Sequence, residues 1–459
     1  MSALIKYLKQ YAESESHMLG DFPSGFQQGL IVPAYRETLE DINRLINFAK
    51  QQAGSLLVLV LNRPDSDQND QWARDLLAQE LFTAKPHWQS TDKTLRCYSL
   101  KKTDNTTNTP SATNNPSSIL VVDRIITGAP IPAEQGVGLA RKIGADILCR
   151  LIHDKKVTSP WLANTDADAI LPSNYFNALT DLDNRKKIAA VVFPFAAQLT
   201  ETLTPLPTLL YDFSLHYYVA GLSWAGSPYN YHTIGSIIAP HYQHYAQVRG
   251  FPKRAAAEDF YLLNKLAKTG SVTSLQHPVV KIIARHSDRV PFGTGPAVRK
   301  LAAADNPLNM SLYHPDCFLY LKYFLQLQQI LCQQECFSAD LISYSCKQLP
   351  LDKISTIDKN QLLKASEHFK LSAALQHCFQ QGATPAARAL HLQQWFDGFK
   401  TLKFIHWIRD GLVGTVTFSD WLTQHSSDSM PVNQTMKTLI EQIKTSSSLT
   451  ADNTFTLNN

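Results

Sequence analysis

The chain has 459 residues, 44% of them apolar, which is enough to bury a sizeable core and too many for a disordered protein. Lys and Arg number 43 against 39 Asp and Glu, and a net charge of +4 excludes nucleic acid or an acidic membrane as the main partner. Charged residues are only 18%, so the surface is more polar-neutral than ionic.

At about 150 residues per domain, this length allows two or three domains, or one large domain with an appendage. Seven cysteines are scattered without a CxxC pair, and Cys332 and Cys336 are spaced as on one helix face. Buried free thiols in a reducing compartment are expected. The start, MSALIKYLKQYAESES, has no apolar core of signal-peptide length. The run Ile188 to Ala197 is too short for the ~20 residues of a membrane-spanning helix. A soluble, cytoplasmic protein is expected, with peripheral membrane contact left open.

Residues 1–27 read as an N-terminal helical extension. GLIVPAY (Gly29 to Tyr35) and SLLVLVLN (Ser55 to Asn62) are continuous apolar runs, the mark of strands buried on both faces. Between them Leu39, Ile42, Leu45, Ile46 and Ala49 fall at helical spacing, with Gly54 as the stop. Strand, helix and parallel strand make a βαβ unit, and its repetition predicts an α/β sheet. Helical residues near Asp70 to Phe82 lead to strands at Leu95 to Leu100 and Ile119 to Val122. The polar tract between those strands predicts a flexible insertion over 103–118. A helix follows from about Pro132 to His153, then strands at Trp161 to Asn164, Ile188 to Phe195 and Pro278 to Ala284. After about Arg299 the strand-like runs stop. Residues 300–430 read as a helical C-terminal region, with Leu392, Trp395, Phe396, Phe399, Leu402 and Ile405 along one helix face. Residues 431–459 read as a polar tail.

Three segments carry chemistry. In WLANTDADAILPSNYF a strand is followed at once by Asp166 and Asp168, at the strand end where ligands of open α/β sheets bind. Two carboxylates one residue apart suit a hard cation, Mg²⁺ or Mn²⁺, that also meets phosphates. Alone, such a pair is also a common surface or capping feature. In FPKRAAAEDFYLLNKLAKTG, Glu258 and Asp259 open a helix, where the dipole favours ionised carboxylates. They read either as simple caps or as a general base for an acceptor hydroxyl. In KIIARHSDRVPFGTG, a strand enters a loop with Arg285, His286 and Arg289. The His reads as structural or as a metal ligand, and the arginines as bidentate phosphate holders.

Taken in order, IVPAYRETLEDI, GLARKIGAD, NTDADAILPSNY and GSIIAPHYQHYAQVRGFPKRAAAEDFYLLNKLAKTG resemble the family 2 glycosyltransferases of the GT-A fold. The resemblance covers about Gln28 to Gly295. It implies a GT-A domain over 28–299, with a mostly parallel sheet, helices on both faces, and bound Mg²⁺ or Mn²⁺. Pro33, Tyr35 and Glu37 would line the nucleotide pocket, and Arg141 and Lys142 would approach the donor. Asp166 would contact the donor's ribose or sugar, and Asp168 would ligate the metal on its diphosphate. Asp259 would be the base of an inverting transfer, with Glu258 orienting the acceptor or capping the helix. His286 is similar to a late metal-binding His of some such enzymes. The family often carries Asp-Asp-x-Ser after the second strand; here LNRPDSDQND leaves Asn62 or Asp65 for base recognition. The Q-x-x-R-W signature of processive synthases is absent, which favours single-sugar transfer to a small-molecule or glycan acceptor. A sugar-nucleotidyltransferase would open with a glycine-rich phosphate loop, which GLIVPAYRETLED lacks. The remaining alternative is a non-catalytic module on the same sheet.

Overall fold

The two apolar runs become the centre of a sheet because every residue of the second, and all but the last of the first, is buried. The computed structural model describes residues 2–100, 117–182, 187–200, 205–285, 293–350, 357–382, 384–424 and 430–447. Strands β1 (Gln28–Ala34), β2 (Ser55–Asn62), β3 (Trp88–Gln89), β4 (Leu95–Leu100), β5 (Ser117–Arg124) and β6 (Ala163–Asn164) form one sheet in the order β3-β4-β5-β2-β1-β6. β5, β2, β1 and β6 run parallel, whereas β4 and β3 add an antiparallel edge. The chain passes from β1 to β2, out to the far edge at β3, back through β4 to β5, then crosses over to place β6 on the other side of β1. Open α/β sheets bind ligands at such a reversal, here the carboxyl ends of β1 and β6.

Two helices make this possible. Helix Leu39–Gln51 is capped by Thr38, whose hydroxyl accepts from the Asp41 N–H at 3.1 Å, and it buries Ile42, Leu45, Ile46 and Ala49. Helix Gly136–His153 makes the return crossing and is buried on nearly all sides. Gly144 lets it lie against the sheet: a Cβ there would stand 2.5 Å from the Ile31 side chain.

Further on lie β7 (Ala169–Ile170), β8 (Ile188–Val192), β9 (Phe195–Gln198), β10 (Ile238–Pro240), β11 (Ser271–Ser274) and β12 (Val280–Ile283). They form two small sheets, β10-β8-β11 and β7-β12-β9. The single strand expected over Ile188 to Phe195 is thus two strands in different sheets. Pro194 stands between them and has no N–H to continue a ladder.

The chain divides into two compact units, Met1–Thr200 with Thr233–Pro296 and Glu201–His232 with Ala297–Asn459. Two boundaries therefore differ from the expected ones. Residues 1–27 are part of the first unit rather than an extension: Tyr7 and Leu8 of helix Ala3–Gln10 are buried in it. Residues 201–232, placed by sequence in the 28–299 domain, belong with the second unit. That unit is helical, as expected, with one two-stranded ribbon pairing Ser311–Tyr313 and Thr415–Thr417. Its aromatic stripe is broken between two helices, Pro385–Trp395 and Gly398–Ile408, the second capped by Asp397. The break shifts the face: Phe404 and Ile408 are buried, while Phe399 is exposed. The expected polar tail contains helix Gln434–Ser446, which buries Met436, Leu439, Ile440 and Ile443.

Of the expected insertion, 103–116 lies outside the described residues, and Ser117 and Ser118 belong to β5. All seven cysteines are free; six are buried, but Cys336 is exposed because its helix ends at Gln333. Among the described residues, no helix is long and apolar enough to cross a membrane.

Candidate active site

The loop after β6 turns sharply, with the Ala169 N–H donating to the Asp166 carbonyl at 3.1 Å. The turn sends the two carboxylates of the Asp-x-Asp pair in different directions. Asp166 Oδ1 accepts from Arg141 Nη2 at 2.6 Å, whereas Asp168 Oδ2 lies 2.8 Å from Arg285 Nη2. Each carboxylate therefore has its own arginine.

Arg141 is the centre of the first group. It leaves the return helix 3% exposed, and its Nε donates to Glu258 Oε1 at 2.9 Å. Gly235 makes room for it, since a Cβ there would collide with the guanidinium. Burial works against the charge, but Asp166 and Glu258 outweigh it and hold Arg141 firmly protonated. Glu258 and Asp259 begin helix Glu258–Leu266, as expected. The helix dipole was expected to keep Asp259 ionised; the structure reverses this. Burial and then the neighbouring Glu258 push its carboxyl up to about 7, although the Phe260 N–H and Arg141 both favour its charge. That N–H donates to Asp259 Oδ1 at 2.7 Å. A carboxyl poised near neutrality suits proton transfer at neutral pH.

The residue before this pair is strained. Ala257 has φ +61° and ψ 17°, the left-handed region that an L side chain avoids at roughly 1–2 kcal/mol. Ala257→Gly should relieve that cost, less the 0.4–1 kcal/mol by which glycine loosens the unfolded chain. A net gain of about 0.5–1 kcal/mol is expected in urea unfolding. A loss would mean that the Ala257 methyl contributes packing that outweighs the strain.

Arg285 is the centre of the second group, just beyond β12. Its Nη1 lies 2.7 Å from Glu37 Oε2 and 3.5 Å from Asp41 Oδ2, besides the Asp168 contact. The Ile283 N–H donates to the Asp168 carbonyl at 2.9 Å, tying β12 to the Asp166–Asp168 loop. Asp41 also pairs with Arg44 and accepts from Thr38. Sequence reasoning missed Asp41, which reads there as an ordinary first-turn acid.

The other expected donor residues fall elsewhere. Pro33 is buried within β1, paired to Val60. Tyr35 donates its hydroxyl to Asp67 Oδ2 at 2.8 Å, and Arg36 pairs with the same carboxylate at 2.9 Å. Burial opposes the Asp67 charge, but the Asn69 N–H, Tyr35 and Arg36 together hold its carboxyl below the usual range. Sequence gives no sign of Asp67, because its partners Tyr35 and Arg36 lie 32 and 31 positions away beyond β1. Asn62 is instead structural: its amide donates to the Ala34 and Val60 carbonyls, both at 3.1 Å. Asp65 accepts from the Ala133 N–H at 3.2 Å. Lys142, expected beside Arg141 at the donor, faces away from it, as helix neighbours about 100° apart must. It donates to Asp146 Oδ2 at 2.7 Å, the Tyr7 hydroxyl at 2.8 Å and the Tyr11 carbonyl at 2.9 Å, anchoring the N-terminal segment. His286 and Arg289 lie outside the described residues.

Hard oxygen donors are plentiful here: Glu37, Asp41, Asp166, Asp168, Glu258 and Asp259 face Arg44, Arg141 and Arg285. The excess of negative charge and the oxygen chemistry fit a divalent cation. The arginines hold the carboxylates apart from one another, and among the described residues no three potential ligands stand together as a ready-made metal cage.

No protein-family model and no curated protein matches the chain. Among solved structures it is similar to S. aureus TarS 1-349, crystallised alone and in complexes with UDP-GlcNAc and with UDP. Identities are 10%, 11% and 10% and TM-scores 0.31, 0.32 and 0.31, over 84% of this chain and 92% of TarS 1-349. A likeness this distant fixes neither fold family nor activity.

Proposed function

We propose that the chain is a glycosyltransferase of the GT-A type, similar to family 2, moving one sugar from a nucleotide-sugar to an acceptor hydroxyl with inversion. The observation that carries this reading is the convergence of Asp166, Glu258 and Asp259 on buried Arg141 beside the carboxyl ends of β1 and β6. A crevice at a strand-order reversal is where open α/β sheets bind nucleotides. A carboxyl near neutral pKa is what deprotonation of a hydroxyl requires.

Asp259 takes the acceptor proton, and Glu258, fixed by Arg141, holds the first turn of the helix in place. Asp166, 34% exposed at its side chain, is open to a ligand on the side away from Arg141. Asp168 would hold Mg²⁺ or Mn²⁺. That ion would neutralise charge on the departing diphosphate. Along helix Leu39–Gln51, an open groove of about 590 Å³ is lined by Asn43, Asn47 and Gln51, amides suited to the hydroxyls of an acceptor.

Thermal melting with the diphosphates of uridine, guanosine, adenosine, cytidine and thymidine, each with and without Mn²⁺, tests the reading. A cognate diphosphate at a hundredfold excess over Kd should stabilise the protein by about 2.7 kcal/mol. No shift with any of the five would reject a nucleotide-sugar enzyme. Binding without hydrolysis or transfer of any sugar would favour a non-catalytic module.

A further inference from the structure

The Glu258–Asp259 pair stands at the end of a loop that the N-terminal segment grips at two points. Gly250 (φ +73°) backs onto two tyrosine hydroxyls, and a Cβ there would collide with those of Tyr7 and Tyr245. Three residues on, Lys253 Nζ lies 2.8 Å from Glu13 Oε1. We infer that Tyr7 and Glu13 are positioning residues for Asp259, holding residues 250–257 so that its carboxyl keeps its place beside Glu258 and Arg141. The inference rests on the transferase reading above, in which Asp259 is the base.

Both grips are anchored in the core. Asp146, fully buried, accepts from the Tyr7 hydroxyl, the Tyr245 hydroxyl at 2.9 Å, Lys142 Nζ at 2.7 Å and the Glu13 N–H at 2.8 Å. Four donors on one carboxylate fix Tyr7 and the Glu13 backbone to the helix that also carries Arg141. The same helix holds the loop from its other side. There the Gly138 N–H donates to the Arg254 carbonyl at 3.0 Å, and a Cβ on Gly138 would meet the backbone of Pro252 and Arg254. The Arg254 guanidinium in turn lies over the ring of Tyr261, in the same helix as Asp259, at 4.2 Å. Fixed at Gly250, Lys253 and Arg254, the loop reaches Ala257 with little slack. That accounts for the left-handed backbone of Ala257, because such strain persists only where the surroundings over-determine it. Loosened at either grip, the loop can relieve Ala257, and the first turn of the helix can shift. The charges acting on Asp259 directly are Glu258, Arg141 and Asp166. Tyr7 and Glu13 act on it through the backbone.

Urea unfolding of the full chain at pH 8 tests the positioning without a substrate. Asp259→Asn should raise stability there in the parent. That gain should shrink to about half or less when Asp259→Asn is combined with Tyr7→Phe or with Glu13→Gln, since a carboxyl free to turn to water costs less to ionise. Glu13→Gln keeps its backbone N–H on Asp146 and loses only the side-chain charge, which covers the case in which Tyr7→Phe fails to fold. Lys253→Met removes the other half of the same grip, so adding it to Glu13→Gln should change nothing further. Sugar transfer by Glu13→Gln should fall about 10-fold while diphosphate affinity stays within about twofold, the pattern of a misplaced reacting group. A purely structural role would lower stability and leave the Asp259→Asn gain at its parental size. That result would overturn the positioning and leave the transferase reading intact. Failure of the parent to bind any diphosphate would overturn both.

Discussion

Asp259→Asn is expected to lower sugar transfer by about 10²–10⁴, the usual worth of a positioned base, while leaving diphosphate affinity within a factor of a few. Asn keeps the shape and loses the basicity. In the parent, transfer should rise with pH and level off above about 7, where the carboxyl is ionised. Stability should move the other way. The folded protein holds the Asp259 proton up to about 7, whereas the unfolded chain releases it near the ordinary 3.8. Folding therefore binds a proton in that window, and stability falls as pH rises through it. Asn removes the penalty, so the variant should melt above the parent at pH 8, with that advantage shrinking towards pH 4. Near-normal transfer in the variant would remove Asp259 as the base. The combination of lost activity and gained stability at high pH is specific to a group ionised at a cost.

Much of the frame was visible in the chain because hydrophobic pattern determines it. The runs ending at Tyr35 and Asn62 are apolar at nearly every step, as strands covered on both faces are. The Asp-x-Asp pair and the Glu-Asp pair were found because each sits where a strand ends or a helix begins. What the sequence could not supply was partnership. Arg141 joins residues 25 and 117 positions away, and nothing local to it signals either. Lys142, its neighbour, has the same charge and turns to a different surface, a distinction set by helix rotation and the Tyr7 and Asp146 packing. Asp259 was misjudged for a related reason. The helix dipole can be read from position, but burial and the Glu258 charge depend on what folds over the pair. Residues 201–232 were misplaced likewise, since membership of a packed unit is a long-range property.

Replacing Arg141 should be the most damaging single change to stability in this site. Its side chain and that of Glu258 are 4% and 5% exposed, so the pair is desolvated and neither charge can turn to water. The mutual attraction offsets a desolvation cost already incurred, and removing one partner leaves the other charge buried alone. Such losses run to about 3–5 kcal/mol. Arg141→Met retains the aliphatic stem and removes the charge, so it isolates that effect from packing. Urea unfolding at pH 7.5 should show the full loss. The deficit should shrink towards pH 5, because without Arg141, which favours the charged form of Asp259, that carboxyl takes up a proton more readily and becomes neutral. Arg141→Lys should recover only part of the stability, since one ammonium cannot serve Asp166 through Nη2 and Glu258 through Nε with the geometry of the planar fork. A loss below about 1 kcal/mol in the Met variant, with no dependence on pH, would show that Arg141 is not the counter-charge for these carboxylates.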